Sequence, residues 1–213
     1  MTRRPRLDIT GPANGGRAVV IVLPGGSVSS VAPARRGLAY ARMLPVAAAI
    51  AHAVRDKDDT AVWLVRYRVR GWNEPAPHGN EAIPDPVRDG RWAVAEARRR
   101  HPDARIVLIG HSMGGRVGLR LSDEPGVAGV CALAPWIEQD EPARTTRAAS
   151  VLVAHGDCDR VTDPAASSAY AARTGATFVA VPGEGHTLLR RPIFWQRLVT
   201  GFVATLLEAV PEP

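Results

Sequence analysis

Residues 110–115, Gly-His-Ser-Met-Gly-Gly, follow an apolar run that has the composition of a buried strand. The spacing Gly110-x-Ser112-x-Gly114 is that of a nucleophile elbow, a sharp turn from a strand into a helix with serine at its apex. Because the backbone at such a serine is strained, the positions two residues before and after it have no room for side chains. The pattern predicts a serine hydroxyl held above a sheet, at the N-terminus of a helix.

A serine hydroxyl is a weak nucleophile and needs a base to remove its proton, with a third group to orient that base. In an open sheet of parallel strands, functional residues lie just after the carboxyl ends of the strands. His186 lies in a loop after the apolar run 178–181, and Asp159 lies in a polar turn after the apolar run 151–154. We therefore predict His186 as the base and Asp159 as the acid that orients it.

Two other carboxylates are alternatives to Asp159 as the acid. Asp157 lies in the same polar turn. Glu184 lies two residues before His186, and this nearness in sequence does not give the right approach to the imidazole ring. His155, which ends the preceding strand, is expected to brace the turn rather than to act as the base.

The oxyanion of a tetrahedral intermediate requires backbone N–H groups aimed at the developing negative charge. Met113, the residue after the candidate nucleophile, is expected to supply one of them. Residues 23–27, Leu-Pro-Gly-Gly-Ser, follow an early apolar run, and their glycines let the backbone approach a substrate closely. We predict the amide of Gly26 as the second donor, with Ser27 as the alternative. The rival phosphate-binding motifs G-x-G-x-x-G and G-x-x-x-x-G-K-[ST] are absent from the sequence.

Apolar runs and turn residues alternate along the whole chain. Strands are predicted at 7–10, 18–23, 60–67, 106–109, 127–133, 151–154 and 178–181, and helices at 45–54, at 85–100, after Ser112, after Asp163 and from Pro192. This alternation is typical of a mostly parallel sheet, here of about 6–8 strands, with helices on both faces. The sequence therefore predicts one α/β domain over residues 1–213.

Turn and capping residues predict how several of these elements begin and end. The turn-rich segment 11–16 joins the first two predicted strands and predicts an opening hairpin between them. Pro45 is predicted in the first turn of its helix, and Asp85 and Asp163 are predicted as N-caps because each precedes a proline. Gly175 is predicted to end the helix that Asp163 begins.

The net charge of +6 and the pI near 10.3 raise the question of a nucleic-acid partner. The basic residues are arginines apart from Lys57, and they are spread along the chain without the aromatic-interleaved stripe of a nucleic-acid site. Cys131 and Cys158 lack the spacing of a metal site and favour reduced thiols in a cytoplasm. No apolar run is long enough for a membrane span. We expect a cytoplasmic protein without nucleic-acid or membrane partners and without a metal or cofactor.

The motifs above, in this order, resemble the α/β-hydrolase family over essentially the whole chain. The matching segments are Leu-Pro-Gly-Gly (23–26), Gly-His-Ser-Met-Gly-Gly (110–115), His-Gly-Asp-Cys-Asp-Arg-Val (155–161) and Gly-Glu-Gly-His (183–186). The chain order Ser112, Asp159, His186 is also that of the family. Pro24 departs from the pattern, since many members carry histidine there. The short connection 137–150 stands where many members insert a helical cap, so the chain resembles compact, capless esterases or dienelactone-hydrolase-like proteins.

The resemblance implies a serine hydrolase that cleaves a carboxylic ester, or a related thioester or lactone, through an acyl-enzyme. It implies a small-molecule acyl substrate and no cofactor. Acyl transfer to an alcohol and a non-catalytic receptor on the same scaffold are the alternatives, and a monomer is the default oligomeric state. The side chains that could line an open site, or equally serve as packing, are Ser27, Trp72, Asn73, His111, Trp136 and Leu188.

Overall fold

The computed structural model describes residues 3–56, 59–74, 83–142 and 150–208. In these residues the strands form one sheet of seven: β1 (Arg6–Thr10), β2 (Ala18–Leu23), β3 (Thr60–Arg66), β4 (Arg105–His111), β5 (Val127–Leu133), β6 (Ser150–Gly156) and β7 (Thr177–Val181). The strand order is β1-β3-β2-β4-β5-β6-β7. Only β1 runs antiparallel to its neighbour, and the other pairs are parallel. The predicted mostly parallel sheet is confirmed.

Helices cover both faces of the sheet. Their bounds are α1 (Leu38–Ala53), α2 (Asp85–Arg100), α3 (Met113–Arg120), α4 (Pro164–Thr174) and α5 (Pro192–Glu208). Buried side chains of α1 and α5 share one core with the sheet, and those of α2, α3 and α4 share the other. The result is a three-layer α/β architecture with two cores.

The strand β2 shows why these segments are continuously apolar. All of its residues are buried, and their side chains enter the two cores in turn. Val19, Ile21 and Leu23 face one core, while Val20 and Val22 face the other. Since burying an aliphatic side chain of this size contributes about 1.5–3 kcal/mol, a strand covered on both sides favours an unbroken apolar run.

The predicted opening hairpin is wrong. β1 pairs with β3, from Arg6 opposite Arg66 to Thr10 opposite Val62, and β2 lies on the other side of β3. The chain turns at Gly11, whose φ of +94° suits glycine, and a Cβ there would lie 2.6 Å from the carbonyl oxygen of Thr60. The turn-rich segment therefore carries the chain past the start of β3 instead of folding β1 onto β2.

The first helix begins earlier than its proline indicates. α1 starts at Leu38, so Pro45 lies inside the helix and not in its first turn. Pro45 is exposed, while Tyr40, Met43, Val46 and Ile50 are buried on the other face. Packing of residues on both sides of the proline outweighs its missing N–H, although proline in a helix interior is unfavourable by about 3 kcal/mol.

The capping predictions have different outcomes at α2 and α4. Asp163 caps α4 as predicted, since its side chain accepts a hydrogen bond from the Ala165 amide, and Gly175 ends that helix in the left-handed conformation. At α2 the N-cap is Pro84, and Asp85 is the first helical residue. The Asp85 carboxylate instead joins the loop after β3, which is described below.

In the described residues, none of the helices has the length and apolar character that crossing a membrane requires.

Candidate active site

Ser112 lies at the apex of a strained turn between β4 and α3. Its φ of 56° and ψ of −121° are unusual for a residue other than glycine. A Cβ on Gly110 would lie 2.2 Å from the carbonyl oxygen of Gly114, and a Cβ on Gly114 would lie 2.0 Å from that of Leu23. These close approaches are the physical reason for both glycines, as the elbow pattern predicted.

His186 connects Ser112 to Asp159. Its Nε2 lies 3.1 Å from the Ser112 hydroxyl, and its Nδ1 lies 2.8 Å from Oδ2 of Asp159. With the imidazole proton on Nδ1, the ring donates to the carboxylate and accepts from the hydroxyl. The His186 side chain is 11% exposed, whereas the Asp159 side chain is fully buried. The loops after β4, β6 and β7 thus bring together the three side chains singled out in the sequence.

The Asp159 carboxylate is held by hydrogen bonds on both oxygens. Oδ1 accepts from the amides of Val161 at 2.7 Å and Thr162 at 3.0 Å, and Oδ2 also accepts from the Thr162 hydroxyl at 2.8 Å. Burial raises the pKa of Asp159, but these amides, His186 and the hydroxyl outweigh burial and lower the pKa to about 2. The carboxyl group is therefore ionised at neutral pH. Thr162 was not predicted from the sequence. Its only sequence signal is its position in the turn that contains Asp159.

Two backbone amides near Ser112 are free to bind an anion. Within the described residues, the N–H groups of Gly26 and of Met113, the first residue of α3, have no hydrogen-bond acceptor. The Ser27 amide, by contrast, donates to the carbonyl oxygen of Arg70 at 3.0 Å. A Cβ on Gly26 would lie 2.4 Å from that oxygen and 2.5 Å from the sulfur of Met113, so the loop packs tightly against the elbow.

Comparison with family models gives no match, and no curated protein matches the chain significantly. Solved structures do match. An α/β serine hydrolase homologue from Coxiella burnetii is 20% identical, with a TM-score of 0.65 over 93% of this chain and 91% of that one. A serine hydrolase without a lid from Xanthomonas campestris is 21% identical, with a TM-score of 0.62 over 97% and 90%. A monoacylglycerol lipase from Paleococcus ferrophilus is 13% identical, with a TM-score of 0.65 over 95% and 99%.

The chain has the α/β-hydrolase fold. The likeness extends over nearly the whole of both chains in each comparison, which confirms the fold inferred from the motifs.

The connection between β5 and β6 is where a cap is inserted in many α/β-hydrolase folds. Residues 134–142 of this connection contain no helix, and residues 143–149 lie outside the described residues. In the part of the chain that the structure describes, no cap domain covers Ser112.

The two alternative carboxylates, those of Asp157 and Glu184, bind groups other than the His186 ring. Oδ1 of Asp157 accepts from the Gly183 amide at 2.7 Å. Glu184 is buried and accepts from the Arg191 amide at 2.9 Å and from the indole of Trp195 at 3.1 Å, which ties the loop after β7 to α5. Both carboxylates hold the loop that carries His186, and neither is placed to orient the ring of this histidine.

Two further histidines, both buried, form hydrogen bonds with residues of the site. His155 is fully buried, contacts the Ser167 hydroxyl at 2.8 Å and Oδ2 of Asp159 at 3.1 Å, and braces the acid as expected. Nε2 of His111 lies 2.8 Å from the His186 carbonyl oxygen, to which it donates. Burial, and then the proximity of His186, lower the pKa of His111 to about 3, so this ring is neutral. His111 therefore positions the backbone of His186.

The remaining candidates for lining the site have mostly structural contacts. Trp72 and Leu188 are buried, with 1% and 6% exposure, and belong to the two cores. Asn73 accepts from the Ser30 amide and donates to the Asp85 carboxylate, so it fastens a loop. Ser27, Asn73 and Trp136 are only partly buried and are the members of this set that remain accessible.

A buried arginine explains how Trp72 and Trp136 are held. The Arg116 guanidinium lies over both indole rings, with Cζ 4.2 Å from the ring centroid of Trp72 and 4.6 Å from that of Trp136. Its charge is balanced by Glu141, whose carboxylate lies 2.5 Å from Nε of Arg116 and also binds Arg120. This cluster fixes the segment after β5 against α3 on the side of Ser112 where a lid would start.

Proposed function

We propose that the protein is a serine hydrolase that cleaves carboxylic esters, or related thioesters or lactones, through an acyl-enzyme on Ser112. The proposal rests on one observation above all. The hydrogen-bonded series from the Ser112 hydroxyl through His186 to Asp159, with contacts of 3.1 and 2.8 Å, lies beside two unpaired amides. A nucleophile, a base, an orienting acid and oxyanion donors are the parts that acyl transfer requires.

The first half-reaction forms the acyl-enzyme. Nε2 of His186 takes the hydroxyl proton as Oγ of Ser112 attacks the acyl carbonyl carbon. The carbonyl oxygen becomes an oxyanion, which the N–H groups of Gly26 and Met113 bind. When the tetrahedral intermediate collapses, the proton on Nε2 passes to the leaving alkoxide, and the alcohol departs.

The second half-reaction returns the enzyme to its starting state. A water molecule gives a proton to Nε2 of His186 while its oxygen attacks the acyl carbon. The same two amides bind the second oxyanion, and collapse of this intermediate returns the proton to Oγ of Ser112 and releases the carboxylic acid. In the described residues no cap covers Ser112, and an open site favours water as the acceptor. A small-molecule acyl compound is the proposed substrate.

Asp159 acts on His186 throughout. Its ionised carboxylate keeps the imidazole proton on Nδ1, so Nε2 faces the serine as an acceptor. When Nε2 gains the serine proton, the same carboxylate stabilises the imidazolium without taking a proton itself.

The experiment is steady-state hydrolysis of 4-nitrophenyl butyrate by purified variants. His186→Ala is expected to lower kcat by about 10⁴-fold or more, because triad members act as a unit. His52→Ala, at an exposed histidine on α1, is the matched control and is expected to retain wild-type kcat. Equal kcat in the two variants would overturn the proposal.

A further inference from the structure

A large cavity opens beside the oxyanion loop. Its volume is about 760 Å³, within the range of about 300–1,000 Å³ that is usual for small-molecule sites. One wall consists of Pro24, Gly25 and Gly26, and a Cβ on Gly25 would lie 3.4 Å from Cβ of Ser112. Ser112 and His186 do not line the cavity, which adjoins the reacting centre through this loop and extends over the start of α1.

The walls of this cavity are fixed by backbone hydrogen bonds between two loops. The Arg70 amide donates to Ala32 at 2.9 Å, the Gly71 amide donates to Ser30 at 3.0 Å, and the Trp72 amide donates to Ser27 at 2.8 Å. The second loop is in turn anchored to α2, because Arg68, just before this ladder, pairs with Asp85 and with the buried Asp89. The cavity is thus lined by an ordered surface.

Among the described residues that line the cavity, arginine is the only charged type. These residues include Arg35, Arg42, Arg66 and Arg70 but no aspartate or glutamate. Arg66 is paired with Asp8, which also binds Arg36 and Tyr40.

The other three arginines differ from Arg66. Within the described residues, the side chains of Arg35, Arg42 and Arg70 have no carboxylate within ion-pair distance. Several unpaired guanidinium groups around one concavity concentrate a positive potential there.

Two further observations concern the positive charge in this region. After burial and the nearby His186, the charge of Arg42 also lowers the pKa of the His111 imidazole, which precedes Ser112 in the chain. The first turn of α1 also lines the cavity and contains no acidic residue, so the positive end of the helix dipole is not neutralised there.

We propose that the substrate of Ser112 carries an anionic group, a carboxylate or a phosphate, that binds in this cavity to Arg35, Arg42 and Arg70. The inference rests on the proposed function and specifies its substrate class. Planar guanidinium groups match the oxygens of both anions, and the same cavity wall includes Gly25 and Gly26 of the loop proposed to bind the ester carbonyl.

The test compares esters that differ only in charge. Mono-4-nitrophenyl adipate and 4-nitrophenyl hexanoate place a carboxylate or a methyl group at the end of the same six-carbon acyl chain. The butyrate esters of 4-hydroxybenzoate, of its methyl ester and of 4-hydroxyphenyl phosphate place a carboxylate, a neutral group or a phosphate on the alcohol. We expect kcat/KM at low ionic strength to be about tenfold higher for at least one charged ester than for its neutral partner, and to fall with added salt. The preferred ester identifies the anion and the side of the ester that enters the cavity.

The arginine variants locate the source of the preference. The triple variant Arg35→Gln, Arg42→Gln, Arg70→Gln is expected to lose the tenfold preference while it still hydrolyses the neutral esters. Arg98→Gln, at an exposed arginine on the opposite face, is the control and is expected to keep it. Thermal melts of all variants show whether they are folded, and the single variants replace the triple one if it is not.

The outcomes separate this proposal from the proposed function. The proposal of an anionic substrate is wrong if wild type hydrolyses neutral esters but prefers no charged one. It is also wrong if the preference survives in the triple variant. In both cases the proposed hydrolase function is retained. If no ester is hydrolysed, the proposed hydrolase function is wrong. Calorimetry with mono-4-nitrophenyl adipate then tests whether the cavity binds an anion. Binding that the triple variant loses supports the cavity site, and absence of binding overturns it.

Discussion

The two sides of Ser112 are built in opposite ways. On the acid side, the Asp159 carboxylate receives hydrogen bonds from two amides, a hydroxyl and two imidazoles. On the glycine side, the amides of Gly26 and Met113 have no acceptor in the described residues. In the proposed mechanism, an acid that must not move is held by several donors, whereas amides that bind the transition state stay unpaired until charge develops.

The arginines near the site also divide into two groups. Arg116 is buried, lies over two indole rings and is paired with Glu141. Arg42 and Arg70 line a cavity whose described lining residues include no carboxylate. Paired charge stabilises the fold, and unpaired charge is available to a ligand. The predictions below test this division, from the largest effect to the smallest.

Asp159→Asn is expected to have the largest effect, about a 10⁴-fold loss of kcat, because the amide can favour the wrong imidazole tautomer of His186. Asp157→Asn is the matched control two residues away, since Asp157 bonds to the Gly183 amide instead. Its kcat is expected to stay within about twofold of wild type, because this contact is remote from His186. Hydrolysis of 4-nitrophenyl butyrate measures both, and an equal loss in the two variants would remove Asp159 from its role.

Gly26→Ala tests the glycine side. The added methyl group would lie 2.4 Å from the Arg70 carbonyl oxygen, so the loop must shift and carry its amide away from the oxyanion. We expect kcat to fall by about 10²–10³-fold, as for loss of one oxyanion donor, with a small change in KM. The control Gly201→Ala, in α5 with open space around it, is expected to keep wild-type kcat. Unchanged kcat in Gly26→Ala would exclude this loop as the donor.

The low pKa of Asp159 predicts a pH-dependent contribution to stability. Since the folded-state pKa of about 2 lies below the unfolded-state value of 3.8, the ionised carboxylate stabilises the fold above pH 4, and this contribution disappears as the pH falls towards 2. The unfolding free energies of wild type and Asp159→Asn, measured in urea, should therefore converge by about 2 kcal/mol between pH 5 and pH 2. Parallel curves would contradict the network around Asp159.

Thr162→Val removes the hydroxyl that donates to the Asp159 carboxylate and keeps the side-chain volume nearly unchanged. Loss of a single hydrogen bond to a charged group is expected to lower kcat by about tenfold with little change in KM. Thr162→Ser restores the hydroxyl and should restore kcat. If serine fails to rescue, the threonine acts through packing and not as a positioning residue.

Much of this site was predictable because its residues follow strand ends. The elbow, Asp159 and His186 each lie in the loop that follows an apolar run, and the sheet brings the carboxyl ends of these strands to one edge. Thr162 was not predictable, because a threonine in a polar turn has no distinguishing sequence signal. The arginine cavity was not predictable either, since its lining comes from segments far apart in the chain.

The errors in the predicted fold come from long-range packing. Strand 18–23 was predicted with its observed bounds because burial on both faces dictates its composition. The pairing of β1 with β3 depends on which sheet edge is free, and a turn-rich segment does not encode that choice. Likewise, the start of α1 depends on core contacts of Tyr40 and Met43, which outweigh the local preference of Pro45.

The most direct test of the account is labelling with a fluorophosphonate probe followed by peptide mapping. Wild type and Ser168→Ala, at an exposed serine on α4, are expected to carry one covalent adduct, on Ser112, while Ser112→Ala carries none. An adduct that persists in Ser112→Ala, or a wild-type protein that is not labelled, would contradict the claim that His186 and the two free amides make this hydroxyl a nucleophile.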